Sequence, residues 1–152
     1  MITSTPTLSM FLADIYTVQL FYRNETTHGE SLVGLATKAL QIRERAVESG
    51  LMDEFHPNRA NGFMNVAVVL AHENPQKAID LHKIALGIRL GSNAYSQEQV
   101  HGIALNYLNI GRCWLMVKNL EEAGICFQQC LLLMLSRESK VGKRFPLYGL
   151  HF

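Results

Sequence analysis

Few cysteines, few prolines and little net charge are the first features of this 152-residue sequence. Its formal net charge of +1 gives no electrostatic reason to expect nucleic acid or an anionic membrane as a partner. Three cysteines, an odd number, do not make a disulfide framework. Without a secretory signal, they favour a reduced, cytoplasmic compartment. The apolar run at residues 130–135 is far too short to span a membrane.

The motifs of catalysis are missing as well. The sequence has no Gly-rich phosphate loop, no nucleophile elbow and no carboxylate pair outside solvated helix faces. Cys126 and Cys130 are spaced i and i+4, but their neighbours are apolar, and a free cysteine there behaves as a small hydrophobic residue. No histidine at ligand spacing completes a tetrahedral zinc site. We therefore predict a protein that is not an enzyme and that uses no cofactor and no metal.

A five-residue segment occurs twice, at a separation that fits one helical hairpin. Residues 39–43 read Ala-Leu-Gln-Ile-Arg, and residues 85–89 read Ala-Leu-Gly-Ile-Arg, 46 positions later. A weaker copy, Cys-Leu-Leu-Leu at residues 130–133, follows after a further 45 positions. Self-similarity at a fixed period indicates stacked supersecondary units rather than one globular core. A repeat stack presents an extended surface, so binding is the expected kind of function.

The third unit shows two amphipathic patterns separated by a short turn. Apolar side chains recur every three or four residues, as on one face of a helix. The first stripe is Ala104, Tyr107, Leu108, Gly111, Trp114 and Leu115, and the second is Leu120, Ala123, Phe127, Cys130, Leu131 and Met134. So short a turn forces the two helices antiparallel, with their stripes facing each other. Gly111 predicts a close helix approach, with Ala123 as the matching small residue.

The second unit repeats this plan and the first does so more loosely. Asn74 and Pro75 predict a helix start, as N-cap and first helical residue. Gly50 and Gly91 are candidate C-caps between units. The second unit's stripes are Phe63, Val66, Ala67 and Leu70, then Ala78, Leu81, His82, Ala85 and Ile88, whereas the first unit's are Ile15, Val18 and Tyr22, then Leu32, Leu35, Ala36, Ala39 and Ile42. The sequence thus predicts an all-α fold of six helices in three hairpins.

The chain divides into a helical repeat domain and a tail. The domain covers residues 1–136, with units at about 8–48, 57–90 and 98–136. Residues 137–152 carry four basic side chains against one acidic one, and two glycines and a proline at short intervals prevent a long helix. We expect this tail to be loosely ordered. Three units are the minimum for a repeat stack, and end hairpins expose apolar faces, so we also predict self-association through the exposed end faces.

The pattern Tyr107-x2-Ile110-Gly111-x2-Trp114-x8-Ala123-x3-Phe127-x2-Cys130 resembles the tetratricopeptide repeat signature. The period of 45 or 46 is longer than the usual 34 and is similar to the long-helix subtype found in kinesin light chains. The resemblance is close over residues 57–136 and looser over 12–48. It implies a right-handed α-solenoid of about three antiparallel hairpins, in which the first helix of each hairpin lines a concave groove.

The resemblance also implies which residues line the groove. By position they are Met64, Asn65, Val68 and His72 in the second unit, and Leu105, Leu108, Asn109, Arg112 and Met116 in the third. Asn65 and Asn109 occupy the same slot, where their amides either hold the backbone of an extended peptide or tie neighbouring helices together. Arg112 either meets a carboxylate or phosphate or is simply solvated.

From these expectations we predict that the protein is a non-enzymatic scaffold or adaptor that binds a peptide or a helix of another protein in its groove. One alternative is a truncated regulatory repeat region of a larger signalling NTPase. Another is a non-functional gene fragment. Coding sequence on either side of the reading frame would distinguish these possibilities, because it would show further repeats or a nucleotide-binding domain.

Overall fold

The computed structural model describes residues 12–17, 31–92 and 96–136, and all regular structure in these ranges is helical. The six helices are α1 (residues 12–17), α2 (Leu32–Glu48), α3 (Pro57–Leu70), α4 (Pro75–Gly91), α5 (Gln97–Met116) and α6 (Leu120–Ser136). The predicted all-helical fold of six helices is therefore confirmed over the part of the chain that the structure describes. Residues 137–152, on which the prediction of a loose tail rests, lie outside the described residues, as do Val18 and Tyr22.

Capping side chains fix where the helices begin. The amide nitrogen of Lys77 donates to Asn74 Oδ1 at 3.0 Å, and Pro75 is the first residue of α4, as predicted. Ser31, Ser96 and Asn119 accept from the amides of α2, α5 and α6 in the same way. Each cap satisfies an amide that would otherwise have no partner in the first turn, so the polar loop residues determine the helix boundaries.

The two predicted C-cap glycines have different roles. Gly50 has a φ of +72°, and the Leu51 amide behind it donates to the Ala46 carbonyl at 2.8 Å, which closes α2 as expected. The prediction for Gly91 is wrong, because Gly91 is the last residue of α4 and Ser92 is the cap. The Phe55 ring occupies the space that a Cβ on Gly91 would need. Gly91 therefore permits the connection between α2 and α3 to pack against α4.

Helices that follow each other in sequence pack against each other throughout α2–α6. The largest core cluster lies among α3, α4, α5 and α6; its members are Ala67, Ala71, Ala78, Ile79, Leu86, Val100, Ile103, Ala104, Tyr107, Ile110, Cys113, Cys126 and Leu133. Tyr107, Ile79 and Leu86 are among the largest fully buried side chains. The predicted signature tyrosine thus lies at the centre of the core, between the second and third hairpins.

The third hairpin is less covered than its stripes predicted. Leu115 on α5 and Leu120, Leu131 and Met134 on α6 are exposed, whereas Ala123 is buried. Gly111 does permit a close approach, but the atoms next to it are those of the Phe127 ring, which a Cβ would meet at 2.6 Å. Helical spacing identifies the apolar face of α6, but it does not show whether that face is covered. The side chains at its edges would be buried only if a further helix packed beside α6.

Candidate binding surface on α3 and α5

Four of the nine predicted groove residues are exposed, on α3, just after it, and on α5. Val68 is 46% exposed and Met116 is 42% exposed, and His72 and Arg112 are also exposed. Val68 and Arg112 occupy equivalent slots, 44 positions apart, and so do His72 and Met116. Half-buried side chains flank them: Met64, Leu105, Leu108 and Asn109. Because these positions recur at helical spacing, they lie on one face of each helix.

The two equivalent asparagines differ in access to solvent. Asn65 is only 7% exposed, whereas Asn109 is half-buried. A buried amide is poorly placed to hold the backbone of a ligand. Of the two interpretations for this slot, burial therefore disfavours peptide capture at Asn65. Peptide capture remains open at Asn109, so the surface has one accessible amide rather than a pair.

Sequence reasoning missed one side chain of this surface and two exposed apolar side chains beside it. His101 is exposed and lies four residues before Leu105 and eleven before Arg112, on the same face of α5. Leu115 and Val117 are exposed beside Met116 at the end of α5. Helical spacing alone would have found His101. Leu115 was assigned to the core stripe because it is apolar, and only the path of α6 leaves it open.

Arg112 is the cation of this surface. It is exposed and forms no ion pair with any residue that the structure describes. Its charge affects the buried Cys113 next to it: burial raises the pKa of the Cys113 thiol, and Arg112 partly opposes this rise. A planar guanidinium with free N–H groups can pair bidentately with a carboxylate.

A buried arginine on α4 connects the two helices that carry the surface. Arg89 is 4% exposed, and its Nε donates to Asn106 Oδ1 on α5 at 2.9 Å. Its Nη2 donates to Asn61 Oδ1 on α3 at 2.5 Å. The Asn106 amide in turn donates to the carbonyl of His82 at 3.4 Å. One side chain therefore sets the relative position of α3 and α5 from behind the surface.

The Arg89 site has no room for a larger neighbour. A Cβ on Gly102 would lie 2.6 Å from a guanidinium nitrogen of Arg89. Burial lowers the pKa of Arg89, because neutral amides replace part of its hydration. Gly102 thus leaves the space that the guanidinium occupies.

The buried polar groups of the core do not form a reactive site. His82 and Tyr107 are each 1% exposed, and neither His82 Nδ1 nor the Tyr107 hydroxyl has a hydrogen-bond partner among the described residues. Burial lowers the pKa of His82 to about 4 and raises the pKa of Tyr107 well above its usual range. Both side chains are therefore neutral at pH 7 and out of reach of a solute.

The cysteines lie in or beside the same core. Cys113 and Cys126 are buried and Cys130 is half-buried. Burial raises the pKa of all three thiols, that of Cys126 to about 11, with Glu122 adding to the rise at Cys126. Within residues 12–17, 31–92 and 96–136, no group of three or more His, Cys, Asp or Glu side chains is placed to hold a metal ion. The thiols thus remain protonated at neutral pH, which disfavours both nucleophilic and metal chemistry.

Comparisons with known proteins add no assignment. No protein-family model matches the chain, and no curated protein matches it significantly. None of the described helices is long and apolar enough to cross a membrane.

Proposed function

We propose that this chain is a tetratricopeptide-like α-solenoid that acts as a non-enzymatic cytoplasmic adaptor and binds a peptide of another protein across α3 and α5. The contact between α3 and α5 carries the proposal. These are the only helices that touch without being neighbours in sequence, among the described elements α2–α6. The first helices of the second and third hairpins therefore share one surface, as a groove that spans both hairpins requires.

The way the helices contact each other supports a curved stack. In the pairs α2–α4 and α4–α6, the second helices of successive hairpins, no two Cα atoms of the described residues come within 8 Å of each other. First helices that lie closer together than second helices give a stack whose inner side is formed by α3 and α5. The exposed side chains discussed above, Val68, His72, Arg112 and Met116, would then lie on the concave side.

The chemistry of the surface defines the class of ligand. Val68, Leu115 and Met116 are exposed and apolar, and a methionine adapts its shape to different ligands. Arg112 supplies one cation next to them that no described residue pairs with. An extended or helical peptide with one large apolar side chain and one acidic side chain would satisfy both features. Asn109 adds a donor and an acceptor for the peptide backbone.

Selection from a displayed random peptide library tests this proposal. Peptides enriched on the wild-type protein should share an acidic residue near an apolar one. Arg112→Glu should weaken their binding by on the order of tenfold, the effect of about 1.4 kcal/mol. Val68→Glu should weaken binding as well.

Ile84→Glu is the matched control, because Ile84 is as exposed as Val68 but lies on α4. Circular dichroism should show that all variants remain folded. If Ile84→Glu weakened binding as much as Arg112→Glu and Val68→Glu do, the α3–α5 surface would not be the site.

A further inference from the structure

Arg89 is a buried cation without a negative partner among the described residues. The other arginines of the described helices that are not exposed pair with carboxylates. Arg59 Nε lies 2.6 Å from Glu44 Oε1, and Arg43 Nη2 lies 3.2 Å from Asp14 Oδ1. Arg89 instead donates to two neutral amide oxygens and forms no ion pair with any residue that the structure describes. Because a buried charge is costly without a counter-charge, an anion brought close to Arg89 would be favoured.

Arg89 also fixes the orientation of the Asn61 side chain. A guanidinium group can only donate, so the atom that it meets, at 2.5 Å, must be the amide oxygen Oδ1. The amide nitrogen Nδ2 of Asn61 must then point away from Arg89. Nδ2 donates to no residue that the structure describes, and Asn61 is half-buried, so its two N–H groups are left for solvent or a ligand. The charge behind the amide polarises it and makes these N–H groups stronger donors.

Asn61 lies on the side of α3 that carries the candidate surface. It is four residues before Asn65, seven before Val68 and eleven before His72. These spacings put the four side chains on one face of the helix. Leu105, a residue of the surface on α5, occupies the slot equivalent to Asn61, 44 positions later. Asn61 thus places a pre-oriented donor on the surface that α3 and α5 share.

We propose, building on the peptide-binding function proposed above, that Asn61 Nδ2 binds a second carboxylate of the peptide and that Arg89 is the positioning residue behind it. This carboxylate brings near Arg89 the negative charge that the described partners of Arg89 lack. A backbone carbonyl would fit the same donor but would supply no charge. On α3 the position equivalent to Arg112 is Val68, about 10 Å along the helix from Asn61. The peptide therefore carries two acidic side chains at least that far apart.

Peptides enriched from the displayed library on the wild-type protein are the probes for this second anchor. They should carry a second acidic residue at a fixed spacing from the first. In one such peptide, replacing the second acidic residue by its amide, Gln or Asn, should weaken binding to the wild type by on the order of tenfold. The ratio of the two affinities is the readout, because an unfolded fraction of protein lowers both apparent affinities equally. A purely structural role of Asn61 or Arg89 would leave this ratio unchanged.

Two variants change the charge at Arg89 while keeping its hydrogen bonds. In Asn61→Asp the new carboxylate still accepts from Arg89, but the donor is lost, so the amide peptide should bind more tightly than the acidic one. Asn106→Asp gives Arg89 an internal anion at a site that is 0% exposed and out of reach of a peptide, so the preference for the acidic peptide should fall. Gln41→Glu is the control, because it adds the same charge at an exposed position on α2 and should keep the preference. Circular dichroism checks that each variant is folded.

Three results would overturn the second anchor at Asn61. They are enriched peptides with a single acidic position, a wild type that binds the acidic and amide peptides equally, and an Asn61→Asp variant that keeps the preference of the wild type. An unchanged preference in Asn106→Asp would overturn the role of Arg89. Failure of the proposed function itself looks different, because Arg112→Glu and Val68→Glu would then leave the binding of every peptide unchanged.

Discussion

The two arginines that end the repeated segment are both buried but have different surroundings. Arg89 is 4% exposed and Arg43 is 3% exposed, although arginine side chains are usually solvated. Arg89 binds two amide oxygens, on α3 and α5. Arg43 donates from Nη2 to Asp14 and Thr17 of α1, at 3.2 and 3.3 Å, and its Nε and Nη1 have no hydrogen-bond partner among the described residues.

This difference shows what a repeat does and does not determine. The five-residue segment determines the side of the helix on which the arginine lies and therefore its burial. The partners come from other helices, the first helix of the same hairpin in both cases and also α5 for Arg89, so they differ from one unit to the next. On α5, Arg89 donates to the side-chain amide of Asn106. The equivalent position on α3 is Gly62, which has no side-chain amide to offer Arg43. The third copy has Met134 in the arginine slot, and this side chain is exposed.

The largest expected effect comes from removing the two arginines one at a time. Arg89→Met should lower the free energy of unfolding by about 3–4 kcal/mol, because the buried amide oxygen of Asn106 and the half-buried one of Asn61 lose their donors at about 1–3 kcal/mol each. Arg43→Met should cost less than about 1 kcal/mol, since two of its three guanidinium nitrogens have no hydrogen-bond partner among the described residues and Asp14 remains hydrated. Urea unfolding followed by circular dichroism measures both values.

Arg89→Lys is the control for charge. A lysine keeps the charge, but a single ammonium group cannot reach Asn61 and Asn106 in the geometry of the guanidinium fork. It should therefore destabilise the protein nearly as much as Arg89→Met. Equal costs for Arg43→Met and Arg89→Met would mean that the amide network contributes nothing to stability.

Sequence patterns predicted the positions of the helices better than they predicted how side chains pack between helices. The signature spacing placed α5 and α6, and Asn74 with Pro75 placed the start of α4, because these signals are local. The burial of Arg89 depends on Asn61 and Asn106, which lie 28 and 17 residues away in sequence. A pattern that classes arginine as a surface residue cannot predict such a contact.

Acid sensitivity is a second difference between the two units. His82 on α4 has Ala36 as its counterpart 46 positions earlier, on α2. Burial lowers the pKa of His82 to about 4, so the folded state binds a proton less readily than the unfolded chain, whose pKa is about 6.5. The contribution of the neutral His82 side chain to the free energy of unfolding is present in full above pH 6.5 and is lost as the pH falls through 4. The loss between pH 7 and pH 4 should be about 3 kcal/mol.

His82→Leu should remove this part of the pH dependence while leaving stability at pH 7 similar or higher. His101→Gln is the control, because it removes an imidazole that is exposed on α5 instead of one that is buried. Urea midpoints at half-unit intervals from pH 7 to pH 4 provide the measurement. A wild type and a His82→Leu variant that lose stability in parallel would show that other groups cause the acid sensitivity.

The exposure of the candidate surface was predictable in part, because it depends on local helical spacing, as the positions of the helices do. Eight of its nine predicted residues are exposed or half-buried, because helical spacing gives the face of α3 and α5 correctly. Asn65 is the exception, since helical phase does not report how closely a neighbouring helix approaches. For Leu115 the error is the reverse, since burial was predicted and the side chain is exposed. Leu115 is apolar and in phase with the core, yet no described helix covers it.

A methyl group added beside each arginine tests how tightly its surroundings are packed. At Gly102 a Cβ would lie 2.6 to 3.0 Å from three atoms of the Arg89 guanidinium group, which is fixed by its two amide partners. Gly102→Ala should therefore cost about 1–2 kcal/mol, the cost of overpacking less the gain in helix propensity. Thermal or urea unfolding measures it. No loss of stability would mean that Arg89 moves easily and that the network is loose.

Gly62→Ala is the same change beside Arg43 and has the smallest expected effect. A Cβ at Gly62 would lie 3.1 Å from Leu40 Cδ1 and 3.6 Å from Arg43 Cδ. The closer atom is the end of a leucine side chain, which can move by a few tenths of an ångström. Because alanine also favours the helix by up to about 1 kcal/mol over glycine, the variant should be as stable as the wild type or slightly more stable. A loss as large as that of Gly102→Ala would show that the surroundings of Arg43 are as rigid as those of Arg89.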